Sequence, residues 1–253
     1  MRRICTAVCT LLVMHVTSLS AQIIVVREGP GPSFNDLTTY LALVRTPVGG
    51  LPPIATSTIL GDAQSGVALS LRYGHANGTN GISSLNNFGA TAILPMGVGS
   101  TISLTGGFSA PSSGSTALML SLGGDTRLTS MLLGERRDGA RLNIALNGEL
   151  GYGKPSETTL FAGEVGLPIS FVPGPGPRDA IRVVPYVTPA FTFENFDADD
   201  PAVASQSAVH FMLGAGLALY NRTSPLAVNL GLQFMAINGA SLLFGFDLTL
   251  GGR

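Results

Sequence analysis

From Gly66 to the end of the chain one pattern repeats: segments of about ten residues in which apolar side chains alternate with small or polar ones, each closed by turn residues. In Ala227 to Met235, Val228, Leu230, Leu232 and Phe234 share one face, and Asn229, Gly231 and Gln233 the other. In Leu242 to Leu250, Phe244, Phe246, Leu248 and Leu250 alternate with Gly245, Asp247 and Thr249. In Arg141 to Tyr152, Leu142, Ile144, Leu146, Leu150 and Tyr152 alternate with Asn143, Ala145, Asn147, Glu149 and Gly151. In Val209 to Leu219, Val209, Phe211, Leu213, Leu217 and Leu219 stand opposite His210, Gly214 and Gly216. A helix would return its apolar residues every three or four positions, and these segments do not. Long strands with one wholly apolar face leave two architectures, a soluble sandwich or a barrel whose apolar side meets lipid.

The pattern predicts ten strands, at 66–75, 84–94, 99–109, 115–133, 140–153, 158–171, 180–196, 206–220, 225–237 and 240–250. The fourth is long, because Leu118, Leu120, Leu122, Leu128 and Leu132 are read as keeping one phase through Gly123-Gly124. The Glu135-Arg136-Arg137-Asp138-Gly139 run then makes a hairpin, with Asp-Gly as its turn dipeptide. An even strand count places both ends of the barrel on one side of a membrane, the periplasmic side, with short loops on the other; eight and twelve strands are the alternative counts.

Three features favour the barrel over the sandwich. Many segments exceed the five or six residues usual for a strand. One face is rich in Gly, Ala, Ser, Thr and Asn, small enough for a narrow lumen. The other carries almost no charge, and Lys154 is the sole lysine of the chain. A sandwich would put Lys and Glu on its wet face. The whole chain is 45% hydrophobic and 11% charged, with a mean hydropathy of +0.38. Its net charge of −1 offers no field for nucleic acid.

Residues 1–21 read as a signal peptide: Arg2 and Arg3, the apolar run Ile4 to Val16, and small residues up to Ala21. Both cysteines, Cys5 and Cys9, fall within it, so the mature chain has no disulfide, Cys-ligated zinc or thiol nucleophile. Residues 22–65, broken by Pro30, Pro32, Pro47, Pro52 and Pro53, read as a periplasmic lead-in or partial plug, and 66–253 as the barrel.

With its signal segment, its hairpins from Gly66 to Arg253, the segment Val184-Pro185-Tyr186-Val187-Thr188-Pro189-Ala190-Phe191 and the closing strand Leu242 to Leu250, the chain resembles the small outer-membrane β-barrel proteins of Gram-negative bacteria, the broad OmpA/OmpW-like group. The resemblance covers about three quarters of the chain and is one of pattern. It implies outer-membrane lipids, periplasmic chaperones and the barrel-insertion machinery as partners, and no cofactor. Members usually end on an aromatic residue that the insertion machinery reads, whereas here Leu250 is followed by Gly251-Gly252-Arg253.

The strand phases direct a limited set of charges inward: Arg72, Arg127, Arg141 and Arg182 against Asp125, Glu149, Glu164 and Asp247. An unpaired charge in a low-dielectric lumen is costly, so opposite signs there are expected to pair. Arg127, Arg141, Arg182, Asp125 and Asp247 fall toward the periplasmic half, and Arg72, Glu149 and Glu164 toward the middle or outer half. Apart from His15 in the signal segment, only His75 and His210 are present; neither has a serine and an acid in a triad arrangement, and two isolated histidines make no metal site. Pro185 and Pro189 share a strand face, and each removes a ladder donor. The expectation is an exported, non-enzymatic barrel with a structural or passive role and a closed or narrowly conducting, ion-paired lumen. The alternatives are a small-solute porin, an outer-membrane lipid-acting hydrolase and a soluble periplasmic β-sandwich binding protein.

Overall fold

The computed structural model describes residues 67–76, 85–111, 116–134, 139–154, 158–174, 181–198, 206–221, 226–235 and 241–251. The signal segment, the lead-in 22–65 and most loop tips, including Glu135 to Asp138, lie outside them. The strands are β1 (Ala68–Ala76), β2 (Leu85–Pro95), β3 (Ser100–Pro111), β4 (Ala117–Leu133), β5 (Ala140–Lys154), β6 (Thr158–Gly166), β7 (Ile169–Val172), β8 (Arg182–Ala198), β9 (Gln206–Tyr220), β10 (Leu226–Met235) and β11 (Ser241–Gly251). Every pairing is antiparallel, and the ring closes because β1 pairs with β11 while β4 pairs with β5. Closing the sheet gives every strand a neighbour on both sides, although β4 runs below its last β3 partner, Thr126, paired there with β5 alone.

β6 and β7 are two halves of one barrel strand. Asn147 pairs with Gly166, and three residues on in each strand Ile144 pairs with Ile169, so the register never slips across the gap. The gap exists because Pro168 has no N–H to give the ladder. Its carbonyl still accepts from the Ala145 N–H at 2.9 Å, and the Leu167 N–H donates to the Pro189 carbonyl at 2.9 Å. The barrel therefore has ten strands, near the boundaries that alternation predicts.

One phase expectation fails. Arg127 pairs with Ala145 and Thr129 with Ile144, which leaves Leu128 as an extra residue, a β-bulge. A bulge moves every later side chain to the opposite face. Leu132 thus stands opposite Arg141, on the lumen phase, and leaves the set of Leu118, Leu120 and Leu122.

We call the end where β1 begins and β11 finishes the lower rim. The β2–β3 turn there is tight. Met96 N–H donates to the Ser100 carbonyl at 2.9 Å, and Gly97 and Gly99 take φ of 119° and 76°, a region that side chains with a Cβ rarely adopt.

The barrel is inside-out. Exposed side chains on the outward phase are mostly apolar, among them Leu69, Leu104, Leu122, Leu150, Phe161, Phe191, Leu217 and Leu230. The residues shut from solvent are mostly polar and face inward: Ser70, Asn87, Thr91, Thr105, Ser121, Asn147, Thr188 and Gln233. A soluble protein has the reverse polarity, and lipid is the solvent that suits this one. Among the described residues outward charge is confined to the upper rim, where Lys154 and Asp197 sit on strand ends.

Just below that rim lies a girdle of rings. Tyr73 packs on Phe88 at 5.0 Å and Phe88 on Phe108 at 5.3 Å; Tyr152 meets Phe161 at 5.3 Å, and Phe191 meets Phe211 at 5.6 Å. Aromatic rings settle at the membrane interface. Tyr and Phe mark the upper interface in this way, whereas the exposed ring low on the described wall is Phe171.

Candidate functional site: the lumen

Alternation alone builds the site, since each strand sends every second side chain inward. The sequence-selected charges all fall on the lumen phase, at different heights. Asp125 and Arg127 are two apart at the middle of β4, level with the start of β3; Arg141 is the second residue of β5 and Arg182 the first of β8, both at the lower rim. Glu149 and Glu164 are direct register partners in the upper middle of β5 and β6. Arg72 is the register partner of Asp247 on the other side of the barrel.

The hydrogen bonds around these groups are local. Thr101 Oγ1 donates to Asp125 Oδ2 at 2.6 Å, with both residues buried. Ser121 Oγ donates to Glu149 Oε1 at 2.5 Å, and Asn147 Nδ2 reaches Glu164 Oε1 at 3.4 Å. The Arg127 N–H donates to the Gly99 carbonyl at 2.7 Å, which ties the turn to β4, and the guanidinium lies against Gly99. Replacing Thr101 by valine keeps the shape and removes a donor from a buried carboxylate. The expected cost is about 2 kcal/mol, read from denaturant unfolding of the refolded barrel in micelles.

Sequence reasoning missed one inward acid. Glu194 on β8 is 2% exposed and has the same parity as Arg182, so counting along the strand would have found it. Among the described residues Glu194 thus joins the four acids read from the sequence, against four arginines. Arg141 is moreover exposed at the rim, whereas Arg182 is buried.

The interior also holds an apolar patch that the pattern did not announce. Ala68, Ile93, Val184, Tyr186, Ala218, Tyr220 and Ala227 cluster at the lower end, with Val172 packed against them. Above it Tyr186 reaches past Gly216 to donate to Asn229 Oδ1 at 2.8 Å, joining β8 to β10 across β9.

Several lumen side chains bury polar atoms that have no acceptor or donor among the described residues. Both amide atoms of the fully buried Gln233 are in this state, as are Asn229 Nδ2, Asn143 Oδ1, Asn147 Oδ1 and Arg182 Nη2. Among the described residues no group of three His, Cys, Asp or Glu side chains could hold a metal ion. His75 faces outward at the upper rim, with Nδ1 2.9 Å from Asn86 Oδ1, and the Tyr73 hydroxyl donates to the same oxygen at 3.0 Å. His210 stands opposite Thr192 on the lumen phase, while Ser207 faces outward and accepts from Asn195 Nδ2 at 2.9 Å.

No protein-family model and no curated protein matches the chain. Among solved structures it is similar to the outer-membrane protease OmpT of Escherichia coli, at 10% identity and a TM-score of 0.34 over 72% of this chain and 92% of that one. It is similar to a bacterial polysaccharide outer-membrane secretin at 10% identity and 0.30, over 76% and 100%. A mutant porin of Rh. blastica follows at 8% identity and 0.17, over 73% and 99%. Similarities this low carry no residue roles.

Proposed function

We propose that the chain is an outer-membrane β-barrel of the small OmpA/OmpW-like kind, with a closed lumen and a structural or passive, non-enzymatic role. The observation behind the reading is that side chains aimed at the barrel axis are shut from solvent: Gln233 is 0% exposed and Glu194 2%, with Thr188, Thr192 and Met212 equally buried. A water-filled pore would wet them. Arg72 against Asp247, in register on β1 and β11, is the ion pair this reading places in the wall of the lumen. The short upper loops leave no long adhesive or receptor segment above it. Its partners are lipids, with chaperones and insertion machinery acting during assembly.

Two measurements test this. Planar bilayers carrying the refolded barrel are expected to show no stable single-channel steps. Steady steps would replace the reading with the small-solute porin. In cell fractionation the protein is expected in a detergent-dependent, heat-modifiable membrane fraction. Release by osmotic shock would replace it with the soluble sandwich.

A further inference from the structure

β8 is laddered to β9 without a gap from Arg182 to Phe196. Toward β7 it pairs only at Val187 and Tyr186, although β7 runs on to Val172. The prolines explain the difference. Alternate residues of an antiparallel strand turn their backbone groups to alternate neighbours. The Pro189 carbonyl accepts from Leu167, so the odd residues of β8 face β6 and β7, and the N–H groups that Pro185 and Pro189 lack are missing from that seam. The lower ends of β7 and β8 therefore lie side by side without a ladder.

Arg182 spans this break from the lumen side. Its Nη1 donates to the Pro173 carbonyl at 3.3 Å, just past the end of β7. Among the described residues its Nη2 has no acceptor, and Arg182 is 5% exposed. A guanidinium this buried, holding one long bond to a neutral carbonyl, is suited to a planar oxyanion that takes two donors at once. A second arginine stands across β7 from it. Arg141 on β5 is the register partner of Val172, so the two arginines flank the last residue of β7. On these strands the described carboxylates, Glu149, Glu164, Glu194 and Asp197, all lie in the upper part of the barrel. The adjoining turns carry Glu135, Asp138 and Asp179, which lie outside the described residues.

The lipid side of the same break is bare and apolar, with Leu167, Phe171, Ile181 and Val183 all exposed. We propose that the lower end of the β7–β8 seam binds an anionic phospholipid, its phosphate on Arg182 and Arg141 and its acyl chains along Leu167, Phe171, Ile181 and Val183. The phosphate takes the place of the Pro173 carbonyl and also engages Nη2. A zwitterionic headgroup suits the site less, because its ammonium meets two arginines. That this lipid comes from the periplasmic leaflet rests on the outer-membrane reading, whereas binding in detergent does not depend on it.

The test is native mass spectrometry of the refolded full chain in detergent, titrated separately with dioleoylphosphatidylglycerol, dioleoylglycerol and inorganic phosphate. One phosphatidylglycerol per barrel is expected to bind in preference to dioleoylglycerol. Binding is expected to weaken about tenfold or more in Arg182→Gln and severalfold in the rim variant Arg141→Gln, which keeps the barrel interior intact. Lys154→Gln, an equal charge change at the far rim, is expected to leave it unchanged. Wild-type affinity in both arginine variants would overturn the proposal, as would equal binding of dioleoylglycerol. Inorganic phosphate binding as tightly as the lipid would overturn the lipid as its source.

Discussion

Replacing Leu122 with arginine is expected to destabilise the barrel in lipid vesicles by about 2–4 kcal/mol, the cost of a cationic side chain near the bilayer midplane. Leu122 is in mid-β4, 56% exposed, flanked in register by Leu104 on β3 and Leu150 on β5. A water-soluble sandwich predicts almost the opposite: an exposed leucine on its wet face would accept arginine within about 0.5 kcal/mol. The size of the effect therefore separates the two architectures. Depth supplies an internal control. Leu118 has the same phase on the same strand and is at least as exposed, but it pairs with Lys154 near the upper rim. Leu118→Arg is expected to cost only about 0–1 kcal/mol, because the guanidinium reaches the interface. Guanidinium-chloride unfolding of both variants, reversibly folded into the same vesicles, gives the comparison. Equal costs at the two depths would remove the membrane from the explanation.

Much of this fold is written locally. Alternation in Leu142 to Tyr152 or Val228 to Phe234 gives strand, phase and outer face without knowledge of any partner, because a period of two needs nothing beyond the strand itself. What could not be read is what depends on a neighbour. The bulge at Leu128 arises from the counting of β4 against β5, and nothing within Leu128 to Leu132 distinguishes it from a continued phase. Pro185 and Pro189 announce a weak ladder, but only the Leu167–Pro189 bond shows which of the two seams is weakened. The apolar cluster in the lower lumen has a similar origin: Val184, Ala218 and Ala227 sit on four different strands with Ala68 and meet only when the barrel closes. For the candidate site, alternation gave the phase and a first sorting by height, while pairing had to come from the register, which brings Asp247, sorted to the lower half, level with Arg72. Glu194 is the exception, since its parity was available and only the outward prolines and phenylalanines around it drew attention to the other face.

Gly216→Val is expected to cost about 2–4 kcal/mol, from forced overpacking together with one lost buried hydrogen bond. Gly216 lies on the lumen phase of β9, between Tyr186 on β8 and Gly231 on β10. A Cβ there would overlap the Leu230 carbonyl oxygen and the Tyr186 hydroxyl. The two clashes have different remedies. The tyrosine ring can swing aside, which breaks its 2.8 Å bond to Asn229 Oδ1 and leaves a buried amide with one partner fewer. The Leu230 carbonyl belongs to the backbone of β10 and moves only if the β9–β10 pairing moves with it. Tyr186→Phe alone isolates the hydrogen bond and is expected to cost about 1 kcal/mol. Combining Tyr186→Ala with Gly216→Val removes the ring clash and keeps the carbonyl clash, so the double variant should be more stable than the sum of the single losses predicts. Strict additivity would mean that the tyrosine never crosses the glycine, and the bridge from β8 to β10 would have to be abandoned.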